Sequence, residues 1–265
     1  MNSKNILLFL FCLFCFEIYA QNKFHEFSLG IGQEKIKNSF SIPSGMAGVD
    51  YSVDYVFQKP LKNKGFIFGY LANLDYSKLN YNKTDDYSSK DFHTSDVQFA
   101  AFWLANIPLN INNFNLFSGL GISLQGSIIF STQRIYSIRT DAENGYWHLS
   151  PDWFISGNYK FGKFFFQSDI SVPLLFVGYF SHSAFPEGSV SAGVKHILTP
   201  NTFCFFTERV YPKADISVSY PLFSNNKTES RVQLTYAHEQ LVYNGFPYER
   251  KMSNGLKLGM VWVVK

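Results

Sequence analysis

Cysteine is almost absent from this 265-residue sequence: of three, Cys12 and Cys15 sit in an apolar run near the amino terminus, leaving Cys204. An exported domain stapled by disulfides carries an even set, so no bridge within the chain holds this one together. Charge of one sign is missing as well. The formal net charge is only +3 and no basic stripe stands out, which excludes nucleic acid as a natural partner. Beyond residue 20 no apolar run approaches the roughly 20 residues of a spanning helix, which excludes transmembrane helices. There is no Gly-rich phosphate loop, and His148 and His238-Glu239 have no second ligand at metal spacing, so no cofactor and no metal are expected.

What is present begins with Lys4 and the run ILLFLFCLFCF over 6–16, followed by the small residue Ala20 before Gln21. A charged n-region, a short h-region and a cleavage point predict a signal peptide over 1–20, leaving one exported domain over 21–265. Aromatic residues make up 18% of the sequence and hydrophobic ones 46%, with no long run to hold them. They must therefore be interleaved with polar residues, and period-two alternation does this.

The alternation can be counted. Ala47, Val49, Tyr51, Val53, Tyr55 and Phe57 oppose Gly48, Asp50, Ser52, Asp54 and Val56. Val97, Phe99, Ala101, Trp103, Ala105 and Ile107 oppose Asp96, Gln98, Ala100, Phe102, Leu104 and Asn106. Ala214, Ile216, Val218, Tyr220 and Leu222 oppose Asp215, Ser217 and Ser219. Each apolar face is free of charge over about ten residues, enough for a tilted strand to cross a bilayer. About twelve strands follow, beginning near Phe24, Ala47, Gly65, His93, Asn113, Tyr146, Lys163, Gly188, Thr202, Lys213, Glu229 and Met252.

Short turn-like connections alternate with longer polar ones. KPLKN near Pro60, the stretch at Asn110, Gly162-Lys163, the LTPN ending at Asn201 and FSNNK near Asn225 are short. GQEKIKNSFSIPSG, NKTDDYSSKD, STQRIYSIRTDAENG and NGFPYERK are long, and a short loop at Pro212 breaks the pattern. The final stretch NGLKLGMVWVVK also alternates, with Lys257, Gly259, Trp262 and Val264 at the positions of a barrel-insertion signal. In these features the chain resembles the bacterial outer-membrane β-barrels, although it finishes on Val264-Lys265 where many of them finish on an aromatic residue. The expected fold is all-β, a single antiparallel transmembrane barrel of about twelve strands behind a cleaved signal peptide. The resemblance implies the outer membrane of a Gram-negative bacterium, lipid and lipopolysaccharide as neighbours, and the barrel-insertion machinery as a partner. An exported soluble barrel or sandwich is the competing reading. It would need an inward apolar face, whereas the non-apolar face here is rich in Gly and Ser.

Function must then come from the faces. Parity turns Asp50, Asp54, Asp75, Asp169 and Asp215 inward, together with Lys160, Lys195, Arg231 and Lys257. Mixed charges either cross-link and plug a lumen or line a narrow porin-like pore. These are a structural or surface-interaction barrel and a small passive channel. One enzymatic alternative exists. His93 and Ser95 share the lipid-facing side of one strand, which resembles the His-x-Ser pair of outer-membrane phospholipases and lipid A deacylases. That resemblance implies His93 as base and Ser95 as nucleophile, but the family's next residue is Asn and here Asp96 follows.

Overall fold

The computed structural model describes residues 23–38, 42–61, 65–81, 91–109, 111–135, 138–180, 202–205, 209–243 and 249–264. The expected signal peptide over 1–20, Lys195 and the strand expected near Gly188 lie outside them. The described residues form thirteen strands: β1 (Lys23–Asn38), β2 (Ile42–Leu61), β3 (Phe66–Tyr81), β4 (Asp91–Ile107), β5 (Phe114–Ile135), β6 (Ile138–Phe161) and β7 (Phe164–Pro173). They continue with β8 (Leu175–Phe180), β9 (Thr202–Phe205), β10 (Arg209–Val210), β11 (Lys213–Ser224), β12 (Thr228–Tyr243) and β13 (Glu249–Val264).

Neighbouring strands pair antiparallel around a closed ring. β1 pairs with both β2 and β13, and β6 joins β5 to β7, which closes the ring. β7 and β8 are one strand interrupted at Leu174, where Pro173 cannot donate to the ladder and the Leu174 N–H turns to the Pro151 carbonyl, 2.9 Å away. Ten strands close the ring, where the alternation gives about twelve. β9, β10 and β11 run in one direction, so the chain does not reverse at Pro212. Along β12 their register is continuous, with Val210 opposite Val242 and Lys213 opposite Glu239. On the other side Leu175 pairs Phe205 while Ser171 pairs Lys213, so eight residue steps face four.

The stagger of the ring can be followed from partner to partner. Phe165 pairs Ser219, then the walk runs through Gln233, Gly259, Ser28, Asp54, Asn73, Gln98, Gln125 and His148 to Gly178. It returns to the starting strand thirteen residues on, one of them the extra residue at Leu174. A stagger of about twelve residues at roughly 3.3 Å, over ten strands roughly 4.8 Å apart, tilts the strands by about 40°. The backbone then lies about 10 Å from the axis, which leaves an interior that inward side chains nearly fill.

The turns at one end are short and chemically specified. Gly65 (φ 62°), Asn113 (φ 63°) and Gly162 (φ 59°) supply the left-handed residues of three of them. In the fourth, the Asn225 side-chain oxygen accepts from the N–H groups of Lys227 (2.8 Å) and Thr228 (2.6 Å). At the opposite end the strands run on through stretches expected as loops. β1 and β2 occupy most of GQEKIKNSFSIPSG, and β5 and β6 all but two residues of STQRIYSIRTDAENG.

The two faces have opposite chemistry. Outward positions carry exposed Phe27, Leu29, Ile31, Val53, Leu74, Phe99, Leu120, Leu258 and many like them, while Ser28, Asp54, Ser77, Gln98, Gln125, Ser150 and Gln233 are buried inside. Such a surface belongs in lipid and is the reverse of a soluble barrel.

Candidate functional site

The candidate site is the barrel interior, because the described polar and charged groups converge there. Two cavities of about 70 and 80 Å³ occupy it. Each has room for a few waters and falls well short of the roughly 300 Å³ at which small-molecule pockets begin. They share a boundary formed by Asp54, Leu71, Asp215 and Lys257. Lys257 Nζ lies 2.9 Å from Asp54 Oδ2, and the Asn73 amide donates to Asp54 at 2.6 Å and to Asp75 at 3.0 Å. Ser28 adds a donor to Asp54 at 3.2 Å.

Toward the long-loop end the charges knit tightly. Lys251 Nζ bonds Asp96 and sits 3.2 Å from Glu34, whose other oxygen accepts from Ser77 and from Thr94 (3.1 Å). Lys213 Nζ reaches Glu239 at 3.0 Å and Gln98 at 2.5 Å. Tyr211 is fully buried; its hydroxyl donates to Glu239 and accepts from Gln125 at 2.8 Å. Apolar groups close over this network. Phe176, Cys204, Tyr211 and Leu241 form one buried cluster, and Ile36, Met46 and Leu79 form another on β1, β2 and β3. Cys204 thus fills space opposite Phe176.

Toward the short-turn end the Gln233 amide donates to Glu26 at 2.6 Å, and Arg231 pairs Glu229 at 2.6 Å while its guanidinium stacks 3.5 Å over the Phe165 ring. Phe102 and Phe154, 5.2 Å apart, lie across glycines of the wall and line the lower cavity.

The residues turned inward by parity fall as follows. Asp50, Asp54, Asp75, Asp215 and Lys257 line the upper cavity, and Asp169 lines the lower one. Arg231 and Lys160 stand at the short-turn end, Lys160 over the Phe165 ring at 5.2 Å. Sequence reasoning passed over Lys213, Glu239, Lys251, Glu34 and Tyr211 as lumen groups, and placed Asp96 on the inward face without using it. The same parity finds Asp96, Glu239 and Lys251. Glu34 fell in a stretch expected as loop, and nothing in the sequence marks Tyr211 as a buried anchor.

His93 and Ser95 face outward, as alternation requires. The His93 ring stacks on Tyr76, centroids 5.8 Å apart, with Nδ1 2.7 Å from the tyrosine hydroxyl. Tyr76, directly across the strand pair from Ser95, is therefore the polar neighbour that orients the imidazole. Of the residues expected as an insertion signal, Lys257 and Gly259 face inward, Trp262 and Val264 outward.

No protein family and no curated protein matches the chain. Solved structures do. The outer-membrane protease OmpT of Escherichia coli is similar at 8% identity, with 94% of this chain and 99% of that one covered and a TM-score of 0.54. The transport unit of the autotransporter AIDA-I from Escherichia coli gives 8% identity over 94% and 92% of the chains with a TM-score of 0.48. The translocator domain of the autotransporter NalP from Neisseria meningitidis gives 6%, 98% and 95%, with 0.42. The chain folds as a bacterial outer-membrane β-barrel, in keeping with an outer-membrane location. At such identity the likeness extends to fold and not to activity.

Proposed function

We propose that this protein is a non-enzymatic outer-membrane barrel with a closed lumen, acting as a structural and surface-interaction element through the hairpins of its long-loop end. One observation carries the reading: among the described residues the interior is crossed from end to end by bonded side chains. An apolar layer, a charge network, the Lys257–Asp54 pair and the Phe102–Phe154 layer succeed one another. A passive channel needs a continuous water path, and cavities of about 70 and 80 Å³ divided by an ion pair do not supply one. The β1–β2 and β5–β6 hairpins, with strands of 16 to 24 residues, exceed the roughly ten needed to cross the bilayer and present surface beyond it.

The experiment is conductance of the refolded mature protein in a planar bilayer. A folded but silent protein is the expected result, and discrete opening steps would replace this reading with a narrow channel. That second reading draws on the contact of the two cavities at Lys257. It requires Asp54→Asn to shift the reversal potential.

A further inference from the structure

The lower cavity is unbalanced in charge. Four carboxylates line it, Glu26, Asp54, Asp169 and Asp215, against the single cation Lys257. Asp54 already pairs with that cation at 2.9 Å. The other described cations of the interior are engaged elsewhere, Lys213 by Glu239, Lys251 by Asp96 and Glu34, and Arg231 by Glu229. Lys23 and Lys160 stand at the short-turn end over the Phe57 and Phe165 rings. Glu26, Asp169 and Asp215 therefore share a cavity of about 80 Å³ with no cation to answer them.

Two of the three stand in direct opposition. Asp169 on β7 and Asp215 on β11 are register partners, and both side chains turn inward. Opposed side chains of this kind have Cβ atoms about 4.5–5.5 Å apart, where like charges repel. Asp169 is partly served, accepting from the Gln167 amide at 2.5 Å. Asp215 is not. It is deeply buried and lines both cavities, yet among the described residues it accepts no hydrogen bond and has no ion-pair partner. Glu26 is only 8% exposed and accepts one bond, from Gln233 at 2.6 Å, which leaves its second oxygen without a donor. A buried carboxylate lacking both donor and counter-charge is costly, and two of them around one enclosed space call for a positive ligand.

The chemistry of the lining narrows the class. Ser156, Ser217, Thr235 and the Gln58 and Gln167 amides accompany the carboxylates, with no cysteine or histidine in the lining. Oxygen donors of this kind suit hard cations. Among the described residues no three carboxylate, thiol or imidazole groups close on one point. A cation here is therefore held by one or two carboxylates and keeps part of its water, which is the habit of Mg²⁺. A volume with room for a few waters accommodates such an ion. The Phe102 and Phe154 rings in the same lining leave the attraction weakly screened.

We infer that the Asp169–Asp215 pair, with Glu26 on the same cavity, is a binding site for one partly hydrated divalent cation of the Mg²⁺ class. The ion bridges β7 and β11, whose ladder covers only residues 213–219 of β11, and so fastens the wall at its shortest full pairing. The site does not depend on whether the lumen conducts.

The test refolds the mature protein into phosphatidylcholine vesicles in MgCl2 or in EDTA, checks folding by heat-dependent gel mobility, and measures urea unfolding. Electron paramagnetic resonance with Mn²⁺ in place of Mg²⁺ counts the bound ion. The unmodified protein should take up one Mn²⁺ per chain, displaced by Mg²⁺, and should resist urea better in MgCl2 than in EDTA. Asp215→Asn forfeits no hydrogen bond. It should weaken Mn²⁺ binding about tenfold or more and abolish the response to MgCl2. In EDTA it should be at least as stable as the parent, because the repulsion with Asp169 is gone; a carboxylate of merely structural role would instead lose stability in both media. Asp152→Asn alters a buried carboxylate served by Ser123 and Ser150 outside this cavity, and should keep the response. An unmodified protein that takes up no Mn²⁺ and ignores MgCl2 would overturn the site and leave protons to neutralise the carboxylates. Uptake that Asp215→Asn does not weaken would also overturn it, as an adventitious ion only.

Discussion

Lys257 and Asp54 face each other across the barrel wall, on strands separated by β1, with Nζ 2.9 Å from Oδ2 at the boundary of two cavities. Removing one member leaves the other buried charge without its partner, which costs about 3–5 kcal/mol in protein interiors. Asn73 and Ser28 still donate to Asp54, so Lys257→Met should fall at the lower end of that range. Lys257→Met/Asp54→Leu should regain most of the loss. Urea unfolding in lipid vesicles measures both, and a single variant as stable as the parent would show that cavity water already screens the pair.

Tyr211 ties the step between β10 and β11 to the charge network, since its hydroxyl serves both Glu239 and Gln125. Tyr211→Phe keeps the packing against Phe176 and Leu241, leaves the buried Gln125 amide without this acceptor and removes one donor from Glu239, which Lys213 still pairs, a loss of about 1–3 kcal/mol. Phe176→Ala removes apolar volume without touching the network and should cost about 3–5 kcal/mol. The same unfolding assay checks the order. A Tyr211→Phe variant as stable as the parent would mean that the hydroxyl contributes nothing beyond its ring.

The outward pair His93 and Ser95 gives a third expectation. Tyr76 stacks on the imidazole and bonds its Nδ1, and under the non-enzymatic reading proposed above the ring has no catalytic part. Pure folded protein in phospholipid micelles should release no fatty acid. Release that Ser95→Ala abolishes would restore the hydrolase reading.

Much of this architecture is written in alternation, because a strand between lipid and lumen must change chemistry at every residue. The outward runs at Val97–Ile107 and Ala214–Leu222 and the inward Asp50, Asp54 and Lys257 were legible for that reason. The signal weakens beyond the bilayer, where both faces tolerate polar residues. Hence GQEKIKNSFSIPSG reads as a loop although β1 and β2 pair through most of it, and Glu34 was hidden there. The count of about twelve parts from the ten strands of the ring in two ways: the strand expected near Gly188 lies outside the described residues, and those expected at Thr202 and Lys213 run in one direction through β9, β10 and β11. A strand that changes neighbour without changing direction has the composition of two strands and a turn. Which inward charges meet, as Lys251 meets Glu34 and Asp96, depends on the stagger of the ring, and no local pattern encodes that.

The stagger also decides which glycines are obligatory, and two on neighbouring strands separate cleanly. A Cβ at Gly119 on β5 would stand 1.8 Å from the Trp103 carbonyl oxygen and 2.8 Å from Leu104 Cα, both backbone atoms of the paired strand. No rotamer relieves that contact, so β4 and β5 must part and lose ladder bonds in the wall. A Cβ at Gly157 on β6 meets the Phe114 ring at 3.5 Å and the Ser168 carbonyl oxygen at 3.9 Å, both ordinary packing distances. Gly119→Ala should therefore cost about 1–3 kcal/mol, as overpacking does, and lower the yield of heat-modifiable folded protein. Gly157→Ala should be neutral or stabilise by up to about 1 kcal/mol, because alanine restricts the unfolded chain. Refolding both into the same vesicles and comparing unfolding midpoints decides the matter. If Gly119→Ala folds like the parent, the close approach of β4 to β5 is not a constraint on the barrel.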